Sequence, residues 1–108
     1  MNERAAARFW ELAADLLQRP GVTRSTMMGF PCLRLDGAFF ASCDRRSGDL
    51  VVKLDEARTN ALLASGTAEP FAPNGRRFRE WATIPYAKRR TWAPLLEEAF
   101  EAAAQRSH

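Results

Sequence analysis

The sequence predicts an α+β fold in two layers, with three helices packed on an antiparallel sheet of about five strands. Three observations predict this fold. Apolar residues recur at helical spacing near both ends of the chain, and four short apolar runs lie between these two segments. Asp36-Gly37, between two of those runs, is a strong signal for a tight hairpin. The predicted element order is α-β-β-β-β-α-β-α, within a single domain that spans residues 1–108.

The first helix is predicted over residues 3–18. Ala6, Phe9, Ala13 and Leu16 place apolar side chains on one face of this helix, and Pro20-Gly21 ends it.

The four apolar runs predict strands over residues 23–28, 32–35, 39–43 and 50–54. A two-residue turn at Asp36-Gly37 pairs Leu35 with Ala38, and side chains alternate between faces along a strand. The core face is therefore predicted to carry Leu33, Leu35 and Phe40, and the other face Cys32, Arg34, Phe39, Ala41 and Cys43.

Capping and turn residues predict the remaining elements. Asp55 caps a second helix over about residues 56–65, and Gly66 suits the left-handed conformation that ends it. Residues 67–76 are expected to form an irregular loop, followed by a fifth strand over 78–84 that Pro85 closes. The last helix has Thr91 as its cap, Pro94 in its first turn, and an apolar stripe formed by Trp92, Leu95, Leu96, Ala99, Phe100 and Ala103.

Charge and hydropathy favour a cytoplasmic protein. Charges at Arg8, Glu11 and Asp15 do not fit a secretory signal, and no window approaches the ~18 apolar residues of a membrane span. In the cytoplasm Cys32 and Cys43 are expected to stay reduced.

The residue types that most enzymes need are missing. The only histidine is His108, so a Ser-His or Cys-His nucleophile pair is not expected. Two cysteines are too few for structural zinc, and the sequence has no GxGxxG or GxxxxGK[ST] motif. We therefore expect no enzymatic activity, no cofactor and no metal. Cys32 and Cys43, placed on one face, are either inert small apolar residues or a redox-linked pair.

Basic and aromatic residues provide the candidate binding sites. One interpretation is a phosphate-contacting strip for nucleic acid, with Arg45 and Arg46 as outlying members, while the other is that these charges keep an edge strand from pairing. The strip comprises Arg76, Arg77, Arg79, Lys88, Arg89 and Arg90. Trp81 and Tyr86 are the candidate interaction surface beside the strip. Met27-Met28 with Phe39 form either a further exposed patch or part of a core or dimer contact.

The sequence resembles the TfoX/Sxy N-terminal domain family and its relatives in the MmcQ/YjbR-like group. The resemblance rests on Met28-Gly29-Phe30-Pro31-Cys32-Leu33-Arg34, Phe39-Phe40-Ala41, Val51-Val52-Lys53-Leu54, Gly66 with Pro70-Phe71, Arg79-Glu80-Trp81, and Trp92 with Ala99. It implies a bacterial protein with a secretion-chaperone-like fold and no catalytic residues. The name-giving member regulates competence for DNA uptake and carries a second, C-terminal helical domain.

Two functions follow as expectations. The first is a non-catalytic protein-interaction or regulatory module, whose partner is another protein or a second copy of itself. The alternative is weak, largely sequence-independent nucleic-acid binding through residues 76–90.

Overall fold

The structure is a computed structural model that describes residues 3–27, 29–44 and 46–106, without the side chain of Met27. Its three helices are α1 (Glu3–Leu16), α2 (Glu56–Ala64) and α3 (Trp92–Arg106). Its strands are β1 (Val22–Met27), β2 (Phe30–Leu35), β3 (Ala38–Asp44), β4 (Asp49–Lys53), β5 (Glu69–Pro70) and β6 (Trp81–Ile84). They form one antiparallel sheet in the order β1-β2-β3-β4-β6-β5. The predicted α+β class is confirmed.

The sheet has one strand more than predicted. β5 lies inside the stretch 67–76 that was expected to be irregular, and it pairs Glu69 with Thr83. The predicted fifth strand is β6, which starts only at Trp81 and pairs on both sides, with β4 and with β5. The basic residues around it therefore do not protect an edge strand, and that interpretation is wrong.

The predicted turn at Asp36-Gly37 and the predicted cap of α2 form as expected. Asp36 and Gly37 have φ values of 51° and 87°, and Leu35 pairs with Ala38. The side chain of Asp55 accepts a hydrogen bond from the backbone N–H of Arg58 at 2.7 Å, which satisfies one free donor at the start of α2. The predicted cap of α3 differs, because the hydroxyl of Thr91, which directly precedes α3, donates back to the carbonyl of Lys88 at 2.8 Å. A capping side chain instead accepts a hydrogen bond from a backbone N–H of the first helical turn.

The main core lies between one face of the sheet and the helices. Trp92, Phe9, Phe40 and Ile84 are fully buried there, and each such side chain contributes roughly 1.5–3 kcal/mol. The Nε1–H of Trp92 donates to the carbonyl of Ile84 at 3.2 Å, so the polar group of the largest core side chain is satisfied. We call this side of the sheet the helix-covered face.

Ion pairs at the surface connect the helices. Arg19, just beyond α1, donates to both carboxylate oxygens of Glu97 in α3 at 2.6 and 2.8 Å. Arg58 in α2 donates to both oxygens of Glu98 at 2.7 and 3.0 Å. The hydrogen bonds from Arg19 lower the pKa of Glu97.

A β-bulge at Phe40 changes which side chains share a face. Arg34 pairs with Phe39, but Leu33 pairs with Ala41, so β3 has one residue more than β2 at this point. Ala41 and Cys43 consequently join Phe40 in the main core, while Cys32 lies on the opposite face. The predicted placement of Ala41 and Cys43 is therefore wrong. The sheet separates Cys32 from Cys43, and a redox-linked pair between them is contradicted.

The opposite side of the sheet carries none of the three helices described here, and we call it the open face. The segment of residues 71–80 between β5 and β6, which we call the cover loop, lies over part of it. Within the described part of the chain, no helix combines the length and apolar character of a membrane span.

Candidate binding site on the open face of the sheet

Alternation along the strands, with the bulge included, assigns side chains to the open face. Cross-strand partners share a face, so the pairs Cys32–Ser42, Ser42–Val51, Val51–Thr83 and Lys53–Trp81 define it. In sum, the open face carries Phe30, Cys32, Arg34, Phe39, Ser42, Asp44, Asp49, Val51, Lys53, Trp81 and Thr83.

The cover loop and this face enclose a cavity of about 690 Å³. Pockets of roughly 300–1,000 Å³ are typical of small-molecule sites. We call this cavity the aromatic groove. Its lining consists of Phe30, Ser42, Asp44, Arg46, Val51, Phe71, Pro73, Asn74, Arg76, Phe78 and Trp81.

Hydrogen bonds and ring contacts hold the cover loop in place. The backbone N–H of Phe78 donates to the carbonyl of Phe71 at 2.9 Å, and that of Trp81 donates to Phe78 at 3.1 Å. The ring of Phe71 lies 5.9 Å from that of Phe78 and 6.1 Å from that of Trp81. These separations are within the range of attractive aromatic pairs. Phe78 nevertheless remains 38% exposed at the mouth of the groove.

The strand residues beneath the groove are buried, and Cys32 lies beside them as the cross-strand partner of Ser42. Cys32, Ser42 and Val51 are buried, and the hydroxyl of Ser42 donates to the carbonyl of Pro31 at 3.0 Å. Burial raises the pKa of the Cys32 thiol, against the smaller opposite effect of a hydrogen bond with Ser25. This thiol therefore stays protonated at neutral pH and is a poor nucleophile.

Arginines lie over aromatic rings at the rim of the groove. The guanidinium carbon of Arg46 is 5.1 Å from the centroid of the Phe30 ring, and that of Arg76 is 5.4 Å from Phe78. Arg46 Nε also lies 3.8 Å from Asp44 Oδ1, although the Arg46 side chain is 78% exposed. A guanidinium attracted to a ring still has N–H groups that can bind a carboxylate or phosphate.

The same pairing recurs farther along the open face, outside the groove. The guanidinium carbon of Arg34 lies 4.2 Å from the centroid of the Phe39 ring. Arg34 Nε is buried without a hydrogen-bond partner among the described residues.

The end of the face near the β3–β4 turn is acidic. Burial raises the pKa of Asp49, and the nearby charges of Glu69 and Asp44 raise it further. The carboxylates of Asp44 and Glu69 therefore lie close enough to Asp49 to repel its charge, and the raised pKa favours the neutral form of Asp49. In the described ranges no group of three or more His, Cys, Asp and Glu side chains is arranged to hold a metal ion.

The six residues of the predicted basic strip are not all brought to this site. Only Arg76 lines the groove. Arg77 donates to Asn60 Oδ1 at 2.9 Å and Arg79 lies 3.6 Å from Glu56, so both reach α2 instead. The other three, Lys88, Arg89 and Arg90, are exposed on the 3₁₀ helix Tyr86–Thr91 that precedes α3.

The candidate interaction residues also separate. Trp81 lines the groove, whereas Tyr86 packs edge-on against the buried Trp92, with ring centroids 5.7 Å apart. Phe39 lies half-buried on the open face beneath Arg34. Met28, the Met27 side chain and Arg45 lie outside the described residues.

The sequence did not predict Phe30, Phe71 and Phe78 as site residues, and it indicated Arg46 only as an outlying member of the basic strip. The available signal was Phe71-Ala72-Pro73-Asn74-Gly75-Arg76-Arg77-Phe78, a turn-forming segment with an aromatic residue at each end. Paired aromatic residues across a polar turn indicate a loop that packs its own rings together.

A second, smaller hollow of about 430 Å³ lies on the other side of the sheet, beside β1. It is lined in part by Glu3, Trp10, Arg24 and Thr26, and the guanidinium of Arg24 covers the Trp10 ring at 4.2 Å. Its lining contains one aromatic side chain, Trp10, whereas the lining of the aromatic groove contains four, so less aromatic surface is open to a ligand here.

Comparisons with models of protein families, with curated proteins and with solved structures find no match to this chain. The resemblance to the TfoX/Sxy N-terminal domain and the MmcQ/YjbR-like group therefore stays a prediction.

Proposed function

We propose that this chain is a non-catalytic binding module, of the regulatory or interaction type that its resemblance to the TfoX/Sxy family suggests. Its partner docks on the open face, in the aromatic groove. One observation carries the proposal. Phe71, Phe78 and Trp81 cluster on the face that carries no helix, where their rings add little to the main core but form an apolar cavity.

Aromatic side chains of this kind are suited to binding. They bring a large apolar area with few rotatable bonds, and they supply most of the free energy at many interfaces. Arg46 and Arg76 at the rim would orient a partner that carries negative charge, since guanidinium groups bind carboxylate and phosphate through two hydrogen bonds.

Titration with anilinonaphthalene sulfonate, a fluorescent aromatic anion, tests the use of the groove. We expect the native protein to bind this probe, and Trp81→Ala to weaken binding about tenfold, which corresponds to about 1.4 kcal/mol of lost contact. Trp10→Ala is the matched control, because Trp10 is also half-buried but lies on the helix-covered side of the sheet. Equal affinities for the parent protein and Trp81→Ala would contradict the proposal.

A further inference from the structure

Three arginine–aromatic pairs lie along the open face and its cover loop. They are Arg34 with Phe39, Arg46 with Phe30, and Arg76 with Phe78. Phe30 and Arg34 are separated by four residues of β2, so the first two pairs are roughly 13 Å apart along the strand. A ligand that contacts all three pairs is extended rather than a single ring.

Such pairs favour a ligand in which flat rings alternate with negative charges. Rings stack on aromatic side chains or on guanidinium planes, and phosphates accept two hydrogen bonds from one guanidinium. Single-stranded nucleic acid has both features in regular alternation. In a duplex the bases are already stacked inside the helix and cannot reach the face.

Hydrogen bonding within the sheet argues against an extended peptide on this face. β2, β3, β4 and β6 each pair on both sides, so their backbone N–H and C=O groups are used within the sheet. A peptide that binds by adding a strand needs a free edge instead.

The charges on the face are mixed, and they differ between the two ends of the strands. The positive groups are Arg34, Arg46, Lys53 and Arg76, while the negative groups Asp44, Asp49 and Glu69 lie toward the end near the β3–β4 turn. Arg46 belongs to the same turn and lies 3.8 Å from Asp44, so its charge offsets part of the acidic charge there. Arg34 and Lys53 lie toward the opposite ends of their strands and attract phosphates to that part of the face.

We infer that the open face binds single-stranded nucleic acid, with bases stacked on Phe30, Phe78 and Trp81, and phosphates bound by Arg34, Arg46 and Arg76. The inference presupposes the proposed docking face and adds the class of ligand. It also differs from the site that the sequence predicts. Of the strip over residues 76–90, only Arg76 takes part in the proposed contacts.

Fluorescence anisotropy with a labelled oligothymidine of about 12 nucleotides tests this inference. At about 50 mM salt the native protein is expected to bind, and Trp81→Ala and Phe30→Ala are each expected to lose about tenfold in affinity. Circular dichroism on each variant checks that it remains folded.

The phosphate contacts have their own control. The double variant Arg46→Ala/Arg76→Ala should reduce the slope of log affinity against log salt by about 1.4, since each contact to a single strand contributes about 0.7. Arg89→Ala/Arg90→Ala removes the same charge from exposed residues off the open face, and the slope should stay unchanged.

Several results would overturn the inference: no binding at about 50 mM salt, duplex bound as tightly as single strand, or equal losses for the two double variants. The probe titration then separates two failures. If anilinonaphthalene sulfonate still binds through Trp81, only the nucleic-acid assignment is wrong, and a protein partner or second copy of the chain becomes the better candidate. If neither ligand binds through Trp81, the docking face itself is wrong.

Discussion

The helix-covered face and the open face belong to the same six strands but are completed in different ways. On the first, Phe40, Val52 and Ile84 are fully buried beneath the helices. On the second, Cys32 and Val51 are buried as well, yet the rings around the groove stay partly open, and Phe78 is 38% exposed. The side chains of the first face therefore stabilise the fold, whereas the aromatic side chains of the second face keep exposed surface that a partner can contact.

Arginines show the same difference. On the helix side, Arg19 and Arg58 each direct two hydrogen bonds to one carboxylate of α3, so protein groups satisfy them. Arg19 also lies 4.6 Å from the centroid of the Phe100 ring, so a ring contact alone does not distinguish the two faces. Arg34, Arg46 and Arg76 on the open face lie over rings as well, but they differ in their ion pairs. Among the described residues, only Arg46 of these three has a carboxylate within 4 Å, and the 3.8 Å separation is too long for a hydrogen bond.

The largest expected effect compares one tryptophan from each face. Trp92→Ala should lower the free energy of unfolding by about 3–5 kcal/mol, because it leaves a cavity in the core and removes the hydrogen bond to Ile84. Trp81→Ala should cost about 1 kcal/mol, since Trp81 is half-buried beside an open groove. Urea unfolding measures both values. Equal losses would mean that the open face is as important for folding as the main core.

A smaller effect is expected at the turn that sets the register of both faces. Gly37→Val should cost about 1–2 kcal/mol, because a β-branched residue is strained at the φ of 87° found there. An added Cβ meets no heavy atom within 4 Å, so backbone strain rather than a clash of the Cβ accounts for the loss. Ala38→Val, exposed in the adjacent strand, is the control and should change stability by less than about 0.5 kcal/mol. A neutral Gly37→Val would show that this turn does not set the register.

The Arg19–Glu97 pair tests whether charge on the helix side is structural. Its partners are 29% and 41% exposed, so we expect Glu97→Gln to cost only about 0.5 kcal/mol at neutral pH. The pKa of Glu97 is lowered from its ordinary 4.5, so the pair stabilises the fold above that pH. Its contribution is lost as the pH falls through the lowered value.

Urea unfolding of the parent and the Glu97→Gln variant should therefore differ near neutral pH and converge in acid. Glu11→Gln is the control, because its contact with Arg8 is longer, at 3.5 Å, and more exposed. A difference between parent and Glu97→Gln that grows toward acid pH would refute the assigned sign.

The smallest expected signal is the reactivity of the two cysteine thiols, one on each face of the sheet. Cys32 and Cys43 are both fully buried, so neither should react with a chromogenic aromatic disulfide until the protein unfolds. Single-cysteine variants, Cys43→Ala and Cys32→Ala, measure each thiol separately. Rapid reaction of Cys32 in the folded protein would show that the open face of the sheet opens locally around this thiol.

The raised pKa of Cys32 adds a pH dependence. The folded state favours the protonated thiol, so stability is retained below the ordinary value of 9.0 and decreases as the pH rises above it. Cys32→Ala should therefore reduce the decrease in the free energy of unfolding at alkaline pH.

Local signals in the sequence predicted most of the fold. The Asp36-Gly37 turn, the Asp55 cap, Gly66 and the apolar spacing of the first and last helices all depend on neighbours within a few residues. The bulge at Phe40 has no such signal, because it lacks the glycine that marks many bulges. β5 consists of two residues, one of them Pro70, and is defined by pairing with β6 rather than by its own apolar pattern.

The candidate site was less predictable, because it joins distant parts of the chain. Phe30 in β2 and Trp81 in β6 line the same groove, and this can be predicted only when strand order and register are known. A run such as Arg76-Arg77 looks like one basic cluster in sequence, yet in the folded chain Arg76 lines the groove and Arg77 contacts Asn60.

Amide chemical shifts in an isotope-labelled sample, titrated with an oligothymidine of about 12 nucleotides, test most directly which face binds. We expect shift changes at Phe30, Val51 and Trp81, with the buried amides of α1 and α3 unaffected. Changes confined to residues 88–90 or to the helices, or the absence of any change, would contradict this expectation.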